Sequence, residues 1–260
     1  MNIVKRGKWR LAFRVLPIVA VIIFAKLISH QFGWEFLTLN SLFGAIISAN
    51  VFLVGFLISG VLSDYKEAER LPGELACSLE VISDECYITY KNKKSKVSEE
   101  LLHSVHDIIN SILKWLHKNE RTNIVLSQIT SLNDHFLALE SVTQANFIVR
   151  LKNEQNNMRR LITRIHSIRE TSFNPSGYAI AEIISTIMCI GLIFTKIDPY
   201  YESIFFVSFV SFILIYMVML IRDLDNPFGY YEAANYADEV SLKPLLDLEK
   251  RTAHDLHHVE

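Results

Sequence analysis

Hydrophobic residues in this sequence are gathered into four long blocks that polar stretches separate. The blocks cover about 11–30, 41–62, 177–195 and 202–221. An α-helix needs roughly 20 apolar residues to cross the ~30 Å hydrocarbon core of a bilayer, and each block has about that length. The pattern predicts an all-α membrane protein with four transmembrane helices.

The long stretch between the second and third blocks, 63–173, is polar and has helical rather than strand periodicity. One amphipathic helix is clear within it, and Ser98 is its predicted N-cap. The pattern predicts one long helix or two consecutive helices over 132–170. It also predicts a basic loop at 91–96 and a polar tail over 222–260. The apolar face of the amphipathic helix consists of residues three or four apart: Leu101, Val105, Ile109, Ile112, Leu113 and Leu116.

The distribution of basic residues predicts the orientation in the membrane. The N-terminus and 63–173 hold nearly all of the lysine and arginine, whereas the two short links, 30–40 and 195–202, hold almost none. The positive-inside rule therefore places both termini and the middle stretch in the cytoplasm, with the chain in the cell inner (plasma) membrane. Arg14 and Lys26 lie toward the ends of the first block, where their long side chains are expected to reach the interface. No small-x-small cleavage site follows this block, so we expect an uncleaved helix.

Composition narrows the possible functions. Charged residues make up 21% of the chain, against about 25% in soluble domains. The net charge of -2 gives no support for binding nucleic acid. The three cysteines have no metal-ligand spacing, and the histidines at 103, 106, 254, 257 and 258 lack a carboxylate or cysteine to complete a site. Because catalytic motifs are also absent from the sequence, we expect neither an enzyme nor a bound metal or cofactor.

Three stretches carry a family resemblance. Gly55–Leu75 contains a glycine-phenylalanine pair followed by an acidic, tyrosine-containing segment, and the sequence NPSGY at 174–178 precedes the third block. After the fourth block comes DLDNPFG at 223–229. In this order, and in register with four spans, the three stretches resemble the bestrophin family of ion channels. The family's signature would fall on Asp223, Asp225, Asn226, Pro227, Phe228 and Gly229.

The resemblance implies a homopentamer in which 1–260 forms a single bestrophin-like domain around one axial pore. The chain would passively conduct small ions, either chloride and other anions or monovalent cations, and its cytoplasmic helices would surround an inner vestibule. The signature after the fourth helix would lie near the subunit interface. Residues 230–234, YYEAA, lack the acidic run that helps animal bestrophins to bind calcium, so calcium activation is not expected.

The second membrane helix would line the narrow hydrophobic neck that gates the pore. Alignment of the family's glycine-phenylalanine pair with Gly55-Phe56 puts the neck at Ser48, Phe52 and Phe56. Independently of the family, a spacing of four residues places these three on one helix face. Ser48 stands where a bulky aliphatic residue is common, so that ring is expected to be wider and more polar.

Other interpretations of the same features remain open. The second block also contains Asn50 and several small residues, which predict close helix packing or a water-filled lumen. Asn50 itself is expected to form an interhelical hydrogen bond, and Glu182 is either an interface residue or a functional carboxylate. The alternative function is a membrane-anchored interaction protein that does not conduct. A secondary transporter is disfavoured because the sequence shows no inverted repeat of broken helices. The expected partners are other copies of the chain, the bilayer and small inorganic ions.

Overall fold

The computed structural model describes residues 3–38, 40–171, 175–225, 227–229 and 239–258. These residues are almost entirely helical. In chain order the elements are α1 Ile3–Gln31, β1 Leu37–Thr38, α2 Ser41–Lys93, α3 Lys96–Leu116, α4 Thr122–Glu140, α5 Ala145–Glu170, α6 Pro175–Ile193, β2 Thr195–Lys196, α7 Tyr200–Leu224 and α8 Lys243–His257.

Four helical stretches in the described part of the chain are long and apolar enough to cross a membrane. Three of them are Trp9–Gln31, Ser41–Lys93 and Tyr200–Leu224, and the fourth is the apolar helix α6, Pro175–Ile193. Each predicted block thus falls on a helix whose length and composition suit a bilayer.

The second block is not a separate helix, because α2 continues without a break from Ser41 to Lys93. At the predicted boundary, 62, the sequence changes from apolar to polar residues. The surroundings of the side chains change there, but the helical backbone continues. Pro72 lies inside the helix and removes one of those bonds. The helix persists because its inner face is buried around this point, at Leu71 and Leu75.

The first of two compact units, called here the membrane unit, comprises 1–65 and 172–226. In it α1 packs on α6 and α7, which also pack on each other. The two short strands pair in parallel, with Leu37 opposite Thr195 and Thr38 opposite Lys196. Sequence periodicity did not predict these strands, because two residues are too few to show alternation.

The second unit, called here the helical unit, comprises 66–171 and 227–260. In it α3 packs on α4 and α8, and α4 packs on α5. The predicted apolar face of α3 is confirmed, since its members are buried except for the partly exposed Leu113. The region 132–170 is divided between two helices, α4 and α5, which is one of the two predicted arrangements.

The start of α3 differs from the prediction. Ser95 is the N-cap residue, with the extended backbone angles φ -78° and ψ 126°, and Ser98 lies buried in the first turn. Lys94 just before it has a positive φ of 50°, which reverses the chain after α2. The predicted basic loop is therefore short, because only 94 and 95 lie outside the two helices.

Candidate functional site

The predicted neck residues lie on a face of α2 that the rest of the chain leaves uncovered. Phe52 is 78% exposed and Phe56 66%, although both are in an apolar membrane helix. Ser48 is also exposed, and its Oγ donates to the carbonyl of Gly44 at 3.0 Å. A helical backbone with this spacing brings the three side chains into one row, as the sequence predicted.

The opposite face of α2 is packed inside the membrane unit. Val54, Leu57 and Val61 form a buried cluster with Ala181 of α6 and Ile221 of α7. This packing fixes the rotation of α2 about its axis. The uncovered phenylalanines are therefore held in place by the buried side of the same helix.

A polar contact inside the membrane unit links α2 to α6. The side-chain amide of Asn50 donates to Ser185 Oγ at 3.0 Å, and both residues are almost fully buried. The predicted interhelical hydrogen bond of Asn50 is thus confirmed. In the part of the chain that the structure describes, Asn50 Oδ1 has no hydrogen-bond partner. Such a group is costly among apolar side chains, so the contact is a specific feature of this interface.

The end of α7 contacts the start of α6. Tyr178, from the stretch that precedes the third block, donates its hydroxyl to Asp225 Oδ1 at 2.7 Å. Two stretches of the family resemblance are therefore joined directly. A second contact lies near them, where Arg222 of α7 binds Glu182 Oε1 through Nε at 2.7 Å and Nη2 at 2.6 Å. Glu182 is thus paired with a cation at the end of the membrane unit.

The signature residues after α7 fall in different surroundings. Asp223 and Asp225 are partly exposed, and Asn226 lies outside the described residues. Pro227, Phe228 and Gly229 are buried in the helical unit, where the backbone N–H of Val240 donates to the Pro227 carbonyl at 3.0 Å. Their predicted place near a subunit interface stays a prediction.

A buried ion pair between Lys26 of α1 and Glu35 of the link to α2 was not predicted from the sequence. Lys26 is fully buried, contacts Glu35 Oε1 at 2.6 Å and donates to the backbone carbonyl of Thr195. Its ammonium group thus contacts residues of both short links and is solvated by a largely buried carboxylate and a carbonyl, while its place at the membrane interface stays a prediction. His30 also contacts Glu35, at 3.0 Å, and stacks on Tyr200 with ring centroids 3.8 Å apart.

The pKa of Glu35 reflects this environment. Burial raises the pKa, but the hydrogen bonds from Lys26 and His30 outweigh burial and leave it below its ordinary value. The carboxylate is therefore held in its charged form. The available signal in the sequence was a basic and an acidic residue nine positions apart, on either side of the end of α1.

The histidines noted in the sequence form separate contacts. His106 makes a hydrogen bond with Thr252 at 2.9 Å, and His254 packs against His258 with centroids 4.5 Å apart. Among the described residues, no three His, Cys, Asp or Glu side chains converge on one point. The described cysteines are unpaired.

Similar folds occur among solved structures. A variant of a bacterial bestrophin homologue from Klebsiella pneumoniae is 17% identical, with a TM-score of 0.76, and the match covers 94% of this chain and 97% of that one. Another structure of a Klebsiella pneumoniae bestrophin homologue is 17% identical, with a TM-score of 0.72 and coverage of 96% and 98%. A structure described as a membrane protein variant is 18% identical, with a TM-score of 0.76 and coverage of 95% of this chain and 98% of that one. No curated protein matches the sequence.

The fold and the site define a helical membrane protein in which a long helix leaves a row of aromatic side chains uncovered. The family model of the bestrophin-like domain matches residues 11–229, which is most of the chain. The chain belongs to the bestrophin-like family.

Proposed function

We propose that this chain is the subunit of a homopentameric ion channel whose axial pore is lined by α2. Bestrophin-like proteins are ion channels rather than enzymes. The observation that carries the assignment of the pore is the uncovered face of α2. The whole chain, 1–260, acts as a single bestrophin-like domain in this proposal.

The row that contains the neck residues differs in composition from the exposed faces of α1 and α7. On α2 the row of Ser48, Phe52 and Phe56 continues with Ser59 and Ser63, which are also exposed. Serine hydroxyls suit a water-filled lumen better than hydrocarbon. The mixture of serine and phenylalanine therefore supports a pore-facing row.

The other spans expose mainly apolar side chains. On α1 the exposed residues include Phe13, Val21 and Phe24, and on α7 they include Phe205 and Phe209. Faces of this kind are suited to contact with lipid tails. The contrast supports an assembly in which this row of α2 lies inside and the exposed faces of α1 and α7 lie outside.

The neck gates conduction through its phenylalanines. Five copies of Phe52 and Phe56 would form two stacked aromatic rings, with a wider and more polar ring at Ser48. A narrow apolar constriction can expel water and so close without a moving plug. Phenyl rings have no net charge, so the choice between chloride and monovalent cations depends on residues outside the neck.

The orientation and the segment after α7 complete the proposal. The basic residues favour the cell inner (plasma) membrane with both termini in the cytoplasm. The segment 223–229 would lie near the subunit interface. The Tyr178–Asp225 hydrogen bond supports a role of this segment in fixing the end of α7 against α6.

Reconstitution tests the proposal. The purified chain is placed in lipid vesicles, and currents are compared under chloride and sodium gradients for wild type, Phe52→Ala/Phe56→Ala and the control Phe205→Ala/Phe209→Ala. We expect current from wild type, altered conductance in the first variant and unchanged conductance in the control. The mass of the complex in detergent should correspond to five chains.

The alternative, a membrane-anchored interaction protein, predicts a different outcome. Wild type would pass no current, and the Phe52/Phe56 variant would behave like the control. A stable monomer in mild detergent would also contradict the channel, because one chain leaves α2 facing the solvent.

A further inference from the structure

A cavity of about 380 Å³ lies within the membrane unit, between α1, α6 and α7. Its wall is mainly aliphatic, with side chains such as Ile22, Ile190 and Ile215. The uncharged polar side chains of the wall, Ser185 and Thr186, belong to α6, and a charged pair lies at one end, Glu182 of α6 and Arg222 of α7. The volume lies within the usual range of small-molecule sites, roughly 300–1,000 Å³.

The length of the cavity corresponds to one leaflet of a bilayer. Glu182 and Ile193 both line it, so it follows α6 for about 16 Å at 1.5 Å per residue. The hydrocarbon core is ~30 Å thick, so this is close to half of it. A groove of this depth in a membrane helix bundle has the dimensions of one extended acyl chain.

The charged end of the cavity can bind a lipid head group. Arg222 and Glu182 line this end, and Glu182 occupies the Nε and Nη2 side of the guanidinium. A guanidinium has five N–H donors in a planar fork, so its other side is available to a phosphate. The Arg222 side chain is 64% exposed, which leaves it accessible from the membrane surface.

We propose that this cavity binds one phospholipid, with an acyl chain along α6 and the lipid phosphate on Arg222. An aliphatic wall excludes water and polar ligands, and the surrounding bilayer supplies the lipid at high concentration. The charged end fixes the direction of the lipid, since its head group must remain at the surface.

The bound lipid would also reach the pore helix. Ser185 lines the cavity and accepts the hydrogen bond from Asn50, which lies between Ser48 and Phe52 on α2. An acyl chain against Ser185 would therefore support the position of Asn50. This second step depends on the proposed function of α2, whereas lipid binding itself does not.

Native mass spectrometry of the full chain in mild detergent tests the site. The protein is incubated with an equimolar mixture of dioleoyl phosphatidylglycerol and dioleoyl phosphatidylethanolamine. Wild type is expected to retain one phospholipid per chain. Ile190→Trp fills the cavity from a half-exposed position and should abolish retention. Arg222→Gln should weaken it about tenfold, because it removes one charge-assisted interaction.

The matched control is Ile187→Trp, which enlarges a neighbouring exposed residue of α6 that does not line the cavity. Its lipid retention should equal that of wild type. Equal retention in the two tryptophan variants, or no phospholipid on wild type, would overturn the site. A change in the number of assembled chains in Ile190→Trp, with lipid retention unaltered, would show that another copy covers the cavity and would also overturn it.

Ion flux separates the two steps. If Ile190→Trp loses the lipid and its flux in vesicles stays within about twofold of wild type, the connection to the pore is refuted while the lipid site stands. If no variant conducts, wild type included, the proposed function fails and the mass spectrometry still decides the site.

Discussion

The buried pair of Lys26 and Glu35 allows the sharpest test of the structure. Lys26→Met removes the ammonium group and leaves the carboxylate and the Thr195 carbonyl without it. Because Lys26 is fully buried and Glu35 nearly so, the loss of Lys26 leaves the carboxylate with the more exposed His30 as its remaining ionisable contact among the described residues. We expect a loss of about 3 kcal/mol in the free energy of unfolding, at the low end for a broken buried pair because His30 still contacts the carboxylate.

The double variant Lys26→Met/Glu35→Leu removes both charges. Replacement of a whole buried pair by apolar residues is often neutral, so we expect it to lie within about 1 kcal/mol of wild type. The two variants and Glu35→Leu form a double-mutant cycle, which isolates the interaction between the side chains. Unfolding in mixed micelles of dodecyl maltoside and SDS, followed by tryptophan fluorescence, supplies the free energies.

The matched control is Arg14→Met, since Arg14 is the other cation of the first block and is exposed. It should change the free energy of unfolding by less than about 0.5 kcal/mol. If Lys26→Met behaves like Arg14→Met, the buried pair does not exist in the membrane. If the double variant is as unstable as Lys26→Met, the energetic argument is wrong.

Three further predictions concern other parts of the chain. The lowered pKa of Glu35 contributes stability that is fully present above its ordinary pKa of 4.5 and is lost as pH falls through the lower folded value. Melting temperatures should therefore fall more steeply below about pH 4.5 in wild type than in Glu35→Leu, and parallel curves would refute this. Tyr178→Phe removes the hydrogen bond to Asp225 and should lower the free energy of unfolding by about 0.5–1.5 kcal/mol. Unfolding in mixed micelles measures this change, and an unchanged free energy would contradict the contact. In α3, Ile109→Ala should destabilise the helical unit by about 2–5 kcal/mol, and Leu113→Ala should destabilise it by clearly less. The reason is that Ile109 is fully buried whereas Leu113 is partly exposed. Equal losses of stability in thermal unfolding would contradict that difference.

Sequence alone could predict those parts of the fold that depend on local pattern. The four apolar blocks and the apolar face of α3 follow from hydrophobicity and helical spacing. The end of α2 could not be predicted in this way, because the boundary at 62 is a change of environment within one helix. Pro72 lies within this helix, and the buried side chains of Leu71 and Leu75 pack on either side of it.

Long-range contacts in the candidate site were also beyond local pattern. The hydrogen bond from Lys26 to Thr195 joins residues 169 positions apart, so nothing near Lys26 shows that it is buried. Tyr178 and Asp225 were recognised as parts of two motifs, and only the fold shows that they touch. The row of Ser48, Phe52 and Phe56 was predicted because four-residue spacing is itself local.

The pairing of β1 with β2 has a practical consequence for labelling. It joins Leu37–Thr38 of one link and Thr195–Lys196 of the other into one folded surface, so an epitope tag inserted in either strand would separate hydrogen-bonded backbones. A single substitution is safer, and Asp198 is suitable because its side chain is 81% exposed and its ion pair with Lys196 is long, at 3.9 Å. Cys77 is the exposed thiol among the described cysteines, whereas Cys86 and Cys189 are buried. Asp198→Cys in a Cys77→Ser background would therefore present one accessible thiol, and a membrane-impermeant reagent would show which side of the bilayer that surface faces.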